Sequence, residues 1–128
     1  MIVVDASVLI DASLGRGLAA RRLLNEVLVA PQLLDVEVVH GVRRLVHRGD
    51  IELEHAERAL AELARLDIGR FGHEPLVPRV WELRHQVSAH DGFYVALAED
   101  LGVPLLTLDG RLSRAHGLKT TVELLSAP

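Results

Sequence analysis

Short apolar runs alternate with helical segments along this 128-residue chain. Each run is rich in branched aliphatic residues and is bounded by charged or turn-forming residues, which is typical of buried strands. The runs cover residues 2–5, 27–31, 67–71, 103–109 and 118–125. Parallel strands need a long crossover between them, usually a helix. The alternation therefore predicts an α/β domain with a mostly parallel sheet that is covered on both faces.

The segments between these runs carry helical periodicity and recognisable boundary signals. Ser88 and Asp91 have the spacing of a capping box before an apolar run, and Gly102 is suited to end that helix. We predict helices over residues 6–14, 18–27, 31–48, 52–66 and 91–101, and one that opens at Pro75 or Pro78 and ends near Val87. No linker or repeat interrupts the pattern, so we expect a single domain over residues 1–128.

The composition excludes several classes of protein. The chain has no cysteine, which excludes disulfides and thiolate metal sites and is natural in a reducing cytoplasm. It has no uninterrupted apolar run of about 18 residues, so we expect no membrane span. The net charge of −4 argues against a simple electrostatic nucleic-acid binder. It does not argue against an enzyme whose acidic site is neutralised by a metal ion.

Two aspartates stand where strands end. Asp5 follows the first strand and Asp109 follows a late one. In open parallel sheets the functional site lies beyond the carboxyl ends of the strands, so both aspartates are placed for chemistry. Each can also be explained as an N-cap of the helix that follows its strand.

Glu37 cannot be explained as a helix cap, because it lies within a predicted helix. Its neighbours one turn away are Leu33, Leu34 and Gly41, which places the carboxylate on a largely apolar stripe. A buried carboxylate needs a partner, a proton or a metal ion. The alternative to a functional role is an ion pair with an arginine such as Arg44.

Asp91 completes a set of four acids. If Asp91 converges with the other three, their mutual repulsion must be neutralised by protons or cations. All-oxygen ligands suit a hard cation, Mg²⁺ or Mn²⁺. Such a cluster is a recurring device for phosphodiester hydrolysis, because the metal lowers the pKa of a bound water and stabilises the leaving oxygen.

Three stretches containing these acids resemble the motifs of PIN-domain ribonucleases, and more closely those of the VapC toxins of type II toxin–antitoxin pairs. They are IVVDASVLID, APQLLDVEVVHGVRRLVHRG and SAHDGFYVALAEDLGVPLLTLDGRLSRA. The resemblance implies a three-layer α/β/α domain with a parallel sheet of about five strands. It also implies Mg²⁺- or Mn²⁺-dependent endonucleolytic cleavage of RNA, a homodimer, and neutralisation by a cognate VapB-like antitoxin.

The resemblance also implies roles for individual residues. Asp5 and Asp91 would be the principal metal ligands, Asp109 would complete the site directly or through water, and Glu37 would ligate the metal or orient the attacking water. Ser7 and Thr107 would orient carboxylates. Contacts to RNA phosphates or to the antitoxin are expected from arginines near the acids, although a solvated face or an ion pair explains them equally well: Arg43, Arg44, Arg84 and Arg111.

Two residues depart from the usual family pattern. His90 stands where relatives often have tyrosine, and we expect it to be exposed. Gly92 stands where they often have alanine, and it should weaken the first turn of its helix by about 1 kcal/mol relative to alanine.

Two other functions compete with the nuclease. Two E-x-x-H units, Glu37 to His40 and Glu82 to His85, would fit a di-metal carboxylate bundle, but the strand-like runs count against an all-helical fold. The second alternative is a non-catalytic interaction module in which every acid is a cap or one half of an ion pair.

Overall fold

The computed structural model describes residues 1–125 and contains one five-stranded sheet. All five strands run parallel, in the order β3-β2-β1-β4-β5. Each predicted strand is confirmed, and each lies inside its predicted range. The strands are β1 (Ile2–Val4), β2 (Leu28–Pro31), β3 (Ile68–Phe71), β4 (Leu105–Thr107) and β5 (Val122–Leu124).

Seven helices connect the strands in the described part of the chain, together with a 3₁₀ turn at Glu74–Leu76. They are α1 (Ala6–Ser13), α2 (Gly17–Arg22), α3 (Leu34–His47), α4 (Leu53–Ala64), α5 (Val77–Glu82), α6 (Ala89–Leu101) and α7 (Gly110–Ser113). The first four pack together, α5 packs on α6, and α7 packs beside β5. Because parallel crossovers are right-handed, the first four cover one face of the sheet and the last three cover the other.

Three predicted helix boundaries were wrong. The prediction began α3 at Pro31, but that residue ends β2 and the helix starts at Leu34. The predicted end of α5 near Val87 lies five residues beyond its observed end at Glu82. The helix predicted over residues 18–27 stops at Arg22. Element ends are decided by tertiary packing, which periodicity does not report.

The central strand and helix α6 form the middle of the core. Val3 and Val4 in β1 have no exposed surface, and neither do Val95 and Ala98 in α6. Helix α6 contacts both β1 and β2 and ends at Gly102, whose φ of 66° is the left-handed conformation that suits glycine. No helix in residues 1–125 has the length and apolarity needed to cross a membrane.

Two glycines allow helices to approach each other closely. A Cβ on Gly41 in α3 would lie 2.6 Å from Cδ1 of Ile10 in α1. A Cβ on Gly92 in α6 would lie 2.9 Å from Cγ1 of Val80 in α5. Both distances are shorter than any normal carbon–carbon contact. The glycine that should weaken α6 on helix propensity alone is therefore needed for the packing of α5 on α6.

Replacing Gly92 by alanine tests this packing. We expect Gly92→Ala to lower the free energy of unfolding by about 1 kcal/mol, because overpacking costs about 1–3 kcal/mol and the gain in helix propensity offsets about 1 kcal/mol. In a Val80→Ala background the same change should stabilise the protein, since the truncated side chain leaves room for the methyl group. Urea denaturation of the four proteins measures this coupling. Stabilisation by Gly92→Ala in the wild-type background would contradict the close contact.

Candidate active site

The sheet has its topological switch point between β1 and β4. The chain leaves β1 into α1 on one face and leaves β4 into α7 on the other, and crevices at such points are the usual ligand sites of parallel sheets. A cleft of about 480 Å³ opens here, and we call it the acid cleft. Its lining includes all four candidate acids, Asp5, Glu37, Asp91 and Asp109, together with Ala6, Ser7, Arg44, Tyr94 and Leu108.

Asp5 is buried at the end of β1 and is held through both carboxylate oxygens. Ser7 Oγ donates to Oδ1 at 2.6 Å, and Val8 N donates to the same oxygen at 3.2 Å, so Asp5 also caps α1. Thr107 Oγ1 donates to Oδ2. Burial raises the pKa of Asp5 despite these donors, and the negative charge of Asp91 adds to the rise. Within residues 1–125 no cationic side chain forms a salt bridge with it.

Thr107 joins the ends of the two central strands. Its side chain is fully buried in β4, where it donates to Asp5 and accepts a hydrogen bond from Asp109 N at 3.0 Å. The hydroxyl therefore couples the position of one acid to the backbone of another. Ser7 is placed similarly, because its Oγ accepts a hydrogen bond from Leu108 N at 3.4 Å while it donates to Asp5.

Asp91 and Asp109 face the cleft from helix N-termini. Ser88 Oγ accepts from Asp91 N at 3.2 Å, so the predicted capping interaction is present and Asp91 lies in the first turn of α6. Burial raises the pKa of Asp91, and the negative charge of Asp109 raises it further. Asp109 caps α7, a helix too short to be predicted, by accepting from Arg111 N at 2.9 Å. Capping a helix and lining the cleft are thus compatible for Asp5 and Asp109, while Asp91 lines the cleft from a helix that Ser88 caps.

Glu37 reaches the cleft from α3 and is half-buried. The close approach at Gly41, one turn further along α3, places this helix against α1 and so beside Asp5. The alternative ion pair with Arg44 is not formed among the salt bridges of residues 1–125, although Arg44 lines the same cleft.

Tyr94 also lines the cleft, although it was not among the predicted site residues. Its side chain is 1% exposed. Burial raises the pKa of its phenol, and among the acids Glu37 raises it more than Asp5 or Asp91 does. One signal could have identified it: Tyr94 follows Asp91 by three residues and therefore shares its helix face.

The other candidate residues lie further from the cleft or at its rim. Arg111 Nε is 3.6 Å from Asp109 Oδ1. The Arg84 guanidinium stacks 4.7 Å from the centre of the Trp81 ring, and Arg43 is exposed and outside the cleft lining. His90 is exposed, as expected.

The fold contradicts the alternative of a di-metal carboxylate bundle. That architecture places two E-x-x-H units on the helices of an all-helical bundle, whereas the core here is a parallel sheet. His40 and His85, the histidines of the two units, are both exposed.

The donor set fits a hard divalent cation. The cleft offers carboxylate oxygens, and one of its acids, Asp5, is buried without a salt bridge to any side chain of residues 1–125. In residues 1–125 no three acidic or histidine side chains stand close enough to share one ion. The acids therefore border a common space and do not form a closed cage, as mutual repulsion between carboxylates favours.

Comparisons with known proteins agree with this fold. The PIN domain family model matches residues 2–118. Ribonuclease VapC1 of Mycobacterium tuberculosis is 46% identical over 128 residues, which is 96% of each chain. Ribonuclease VapC12 of the same organism is 39% identical and covers 98% of this chain and 100% of its own. A toxin–antitoxin complex from Klebsiella pneumoniae contains a chain of the same fold, with a TM-score of 0.71, 17% identity and 98% coverage of both chains. The chain therefore belongs to the PIN-domain family and, within it, to the VapC ribonucleases.

Proposed function

We propose that this protein is a divalent-metal-dependent endoribonuclease and the toxin of a type II toxin–antitoxin pair. The observation that supports this most directly is the acid cleft, where four carboxylates from β1, α3, α6 and the end of β4 border one space. The names of the VapC relatives support ribonuclease activity. Relatives of nearly the same length support a single domain.

Individual residues of the cleft would have distinct roles in metal binding and in RNA cleavage. Asp5 and Asp91 would be the principal ligands of Mg²⁺ or Mn²⁺, and Asp109 would complete the site directly or through water. Glu37 would ligate the ion or accept a hydrogen bond from the attacking water. A bound ion would lower the pKa of that water and stabilise the leaving oxygen of the phosphodiester. Ser7 and Thr107 orient Asp5 through the hydrogen bonds to its two oxygens. Arg44 and Arg111, which lie at or beside the cleft, would hold phosphate oxygens of the RNA.

Sequencing of cleaved RNA ends tests the activity. Purified protein is incubated with a defined RNA pool in Mg²⁺, in Mn²⁺ or with EDTA, and we expect new ends only when a metal is present. Asp91→Asn should abolish those ends, because asparagine binds a hard cation weakly, while Ser88 still caps the helix. Asp100→Asn, an exposed aspartate on the same helix, is the matched control and should cleave normally. Identical ends from wild type and Asp91→Asn would overturn the nuclease and favour the interaction module.

Thr107 gives a finer test of the site. We expect Thr107→Val to lower kcat/KM for RNA cleavage by about 10- to 100-fold, because the isosteric side chain cannot donate to Asp5 or accept from Asp109 N. Thr107→Ser keeps the hydroxyl and should retain most of the activity. Equal rates for the valine and serine variants would show that the hydroxyl does not orient Asp5.

The family and the negative charge of the protein support an antitoxin as its partner, and the family supports a homodimer. The Klebsiella pneumoniae chain of the same fold comes from a toxin–antitoxin complex. The net charge of −4 and the acid cleft suit an arginine-bearing segment of a VapB-like antitoxin, since arginine pairs bidentately with carboxylates. Co-expression with the product of the adjacent reading frame should relieve growth arrest and abolish cleavage in vitro. We expect a homodimer, which sedimentation of the purified protein measures.

A further inference from the structure

The hydroxyl of Tyr94 is a buried donor without an acceptor. Within residues 1–125 its oxygen is shielded from solvent and has no hydrogen-bond partner of normal length. Leaving a buried hydroxyl unpaired costs about 1–3 kcal/mol, and buried tyrosine hydroxyls usually have a partner. The side chain lines the acid cleft, so its partner should be sought there.

Glu37 is the complementary group, an acceptor without a donor. Its carboxylate accepts no hydrogen bond from another described side chain or backbone N–H, and it forms no salt bridge in residues 1–125. It projects from the middle of α3, and a glutamate side chain has three rotatable bonds. Asp5, by contrast, is held through both oxygens by Ser7 and Thr107.

The surroundings of the phenol favour Glu37 over the other acids as its acceptor. Both oxygens of Asp5 already have donors. Among the acids that raise the pKa of the Tyr94 phenol, Glu37 raises it most, ahead of Asp5 and Asp91. A phenol is protonated at neutral pH and can therefore donate to a carboxylate without any change of protonation.

We propose that Tyr94 is a positioning residue whose hydroxyl donates a hydrogen bond to the Glu37 carboxylate and so holds that carboxylate toward the acid cleft. The inference rests on the proposed function, because Glu37 is the group that would face the attacking water. Tyr94 acts on the reaction only through Glu37. Asp5 is then positioned by the hydroxyls of Ser7 and Thr107, and Glu37 by the hydroxyl of Tyr94.

The hydrogen bond can be tested without metal or substrate. Tyr94 is the one tyrosine of the chain, so protein labelled with ¹³C at tyrosine Cζ gives a single signal. We expect Glu37→Gln to shift this signal in metal-free protein, because an amide is a weaker acceptor than a carboxylate. Asp100→Asn is the matched charge control and should leave it unchanged. An unchanged signal in Glu37→Gln would overturn the proposal, whatever the nuclease assay shows.

The kinetics of RNA cleavage then distinguish a positioning role of Tyr94 from a role in packing and from direct contact with the substrate. We expect Tyr94→Phe to lower kcat for RNA cleavage by about tenfold with little change in KM, and to have no further effect in a Glu37→Gln background. Thr120→Val removes another hydroxyl, one bonded to Val103 O at 2.7 Å away from the cleft, and should cleave like wild type. A fully active Tyr94→Phe, or a loss that multiplies with that of Glu37→Gln, would overturn the positioning role. Inactive wild-type protein would instead overturn the proposed function.

Discussion

Asp5→Asn should abolish RNA cleavage and at the same time raise the melting temperature of the metal-free protein by a few degrees. The loss of activity should be on the order of 10³-fold or more, since a bound metal supplies several kcal/mol of transition-state stabilisation. The gain in stability follows from burial, which raises the pKa of Asp5 above its ordinary value of 3.8. The folded state therefore becomes less stable as pH rises through that range toward neutrality, and a neutral asparagine removes this cost.

The two readouts need a common control and a metal titration. Asp50→Asn, an exposed aspartate outside the cleft, should change neither activity nor melting temperature. Mg²⁺ or Mn²⁺ should stabilise the wild type and the Asp50→Asn protein and should have little effect on Asp5→Asn. Thermal melts with and without EDTA measure this. An Asp5→Asn protein that melts below wild type in EDTA would show that the carboxylate stabilises the fold and is not kept there for metal binding.

Arg79→Met should lower the free energy of unfolding by about 2–3 kcal/mol, because it leaves a nearly buried carboxylate without its cation. Arg79 donates to Glu99 from Nε at 2.7 Å and from Nη2 at 3.1 Å, and the Glu99 side chain is 9% exposed. Lys119 N also donates to Glu99, and Arg79 reaches Gly117 O at 2.9 Å. The pair therefore ties α5 and α6 to the segment before β5. The figure is below that of a fully buried pair because the arginine is partly exposed.

The contribution of Glu99 to the pH dependence of stability should reverse its sign in this variant. Burial alone would raise the pKa of Glu99, but the hydrogen bonds from Arg79 and Lys119 N outweigh it and lower the pKa below 4.5. The pair therefore stabilises the wild type above pH 4.5, and this stability is lost as pH falls through the lowered pKa. Without Arg79, only Lys119 N still lowers the pKa of Glu99, while burial still raises it. We therefore expect the ionised Glu99 at neutral pH to favour folding less than the protonated Glu99 near pH 4.

Urea denaturation between pH 4 and pH 7 measures the difference between the two profiles. Acids common to both proteins cancel in that difference, including Glu26 and Asp35, whose pKa values arginines also lower. Glu99→Gln should flatten the profile, since no titrating group remains at that position. Parallel profiles for wild type and Arg79→Met would contradict an ionic contribution from the pair.

Features that depend on local sequence could be predicted. Asp5 and Asp109 are found at strand ends because a short apolar run followed by an acid marks the edge of a parallel sheet. Asp91 was located by its capping spacing to Ser88, and that contact is present. Glu37 was identified because a carboxylate in mid-helix on an apolar face needs a partner, a proton or a metal ion. Each inference needed only residues within one or two turns of the acid.

Features that depend on how distant elements meet could not be predicted. Gly92 looked unfavourable because helix propensity is local, while the space it leaves is filled by Val80 from another helix. Tyr94 looked like core because its burial is evident from sequence and its hydroxyl's neighbours on α3 are not. Arg44 was a reasonable partner for Glu37 by spacing, but both side chains line the cleft without forming the pair.

The strand order also governs when during synthesis the acid cleft can exist. β1 lies at the centre of the sheet between β2 and β4, and 102 residues separate Asp5 from Thr107, the donor to its second oxygen. A ribosome releases Asp5 and Glu37 long before β4, so one side of the central strand has no neighbour for most of translation. The carboxylates can share a cleft only after residue 109 has emerged. A chain with this strand order therefore cannot bring its four acids together until nearly the whole domain has been synthesised.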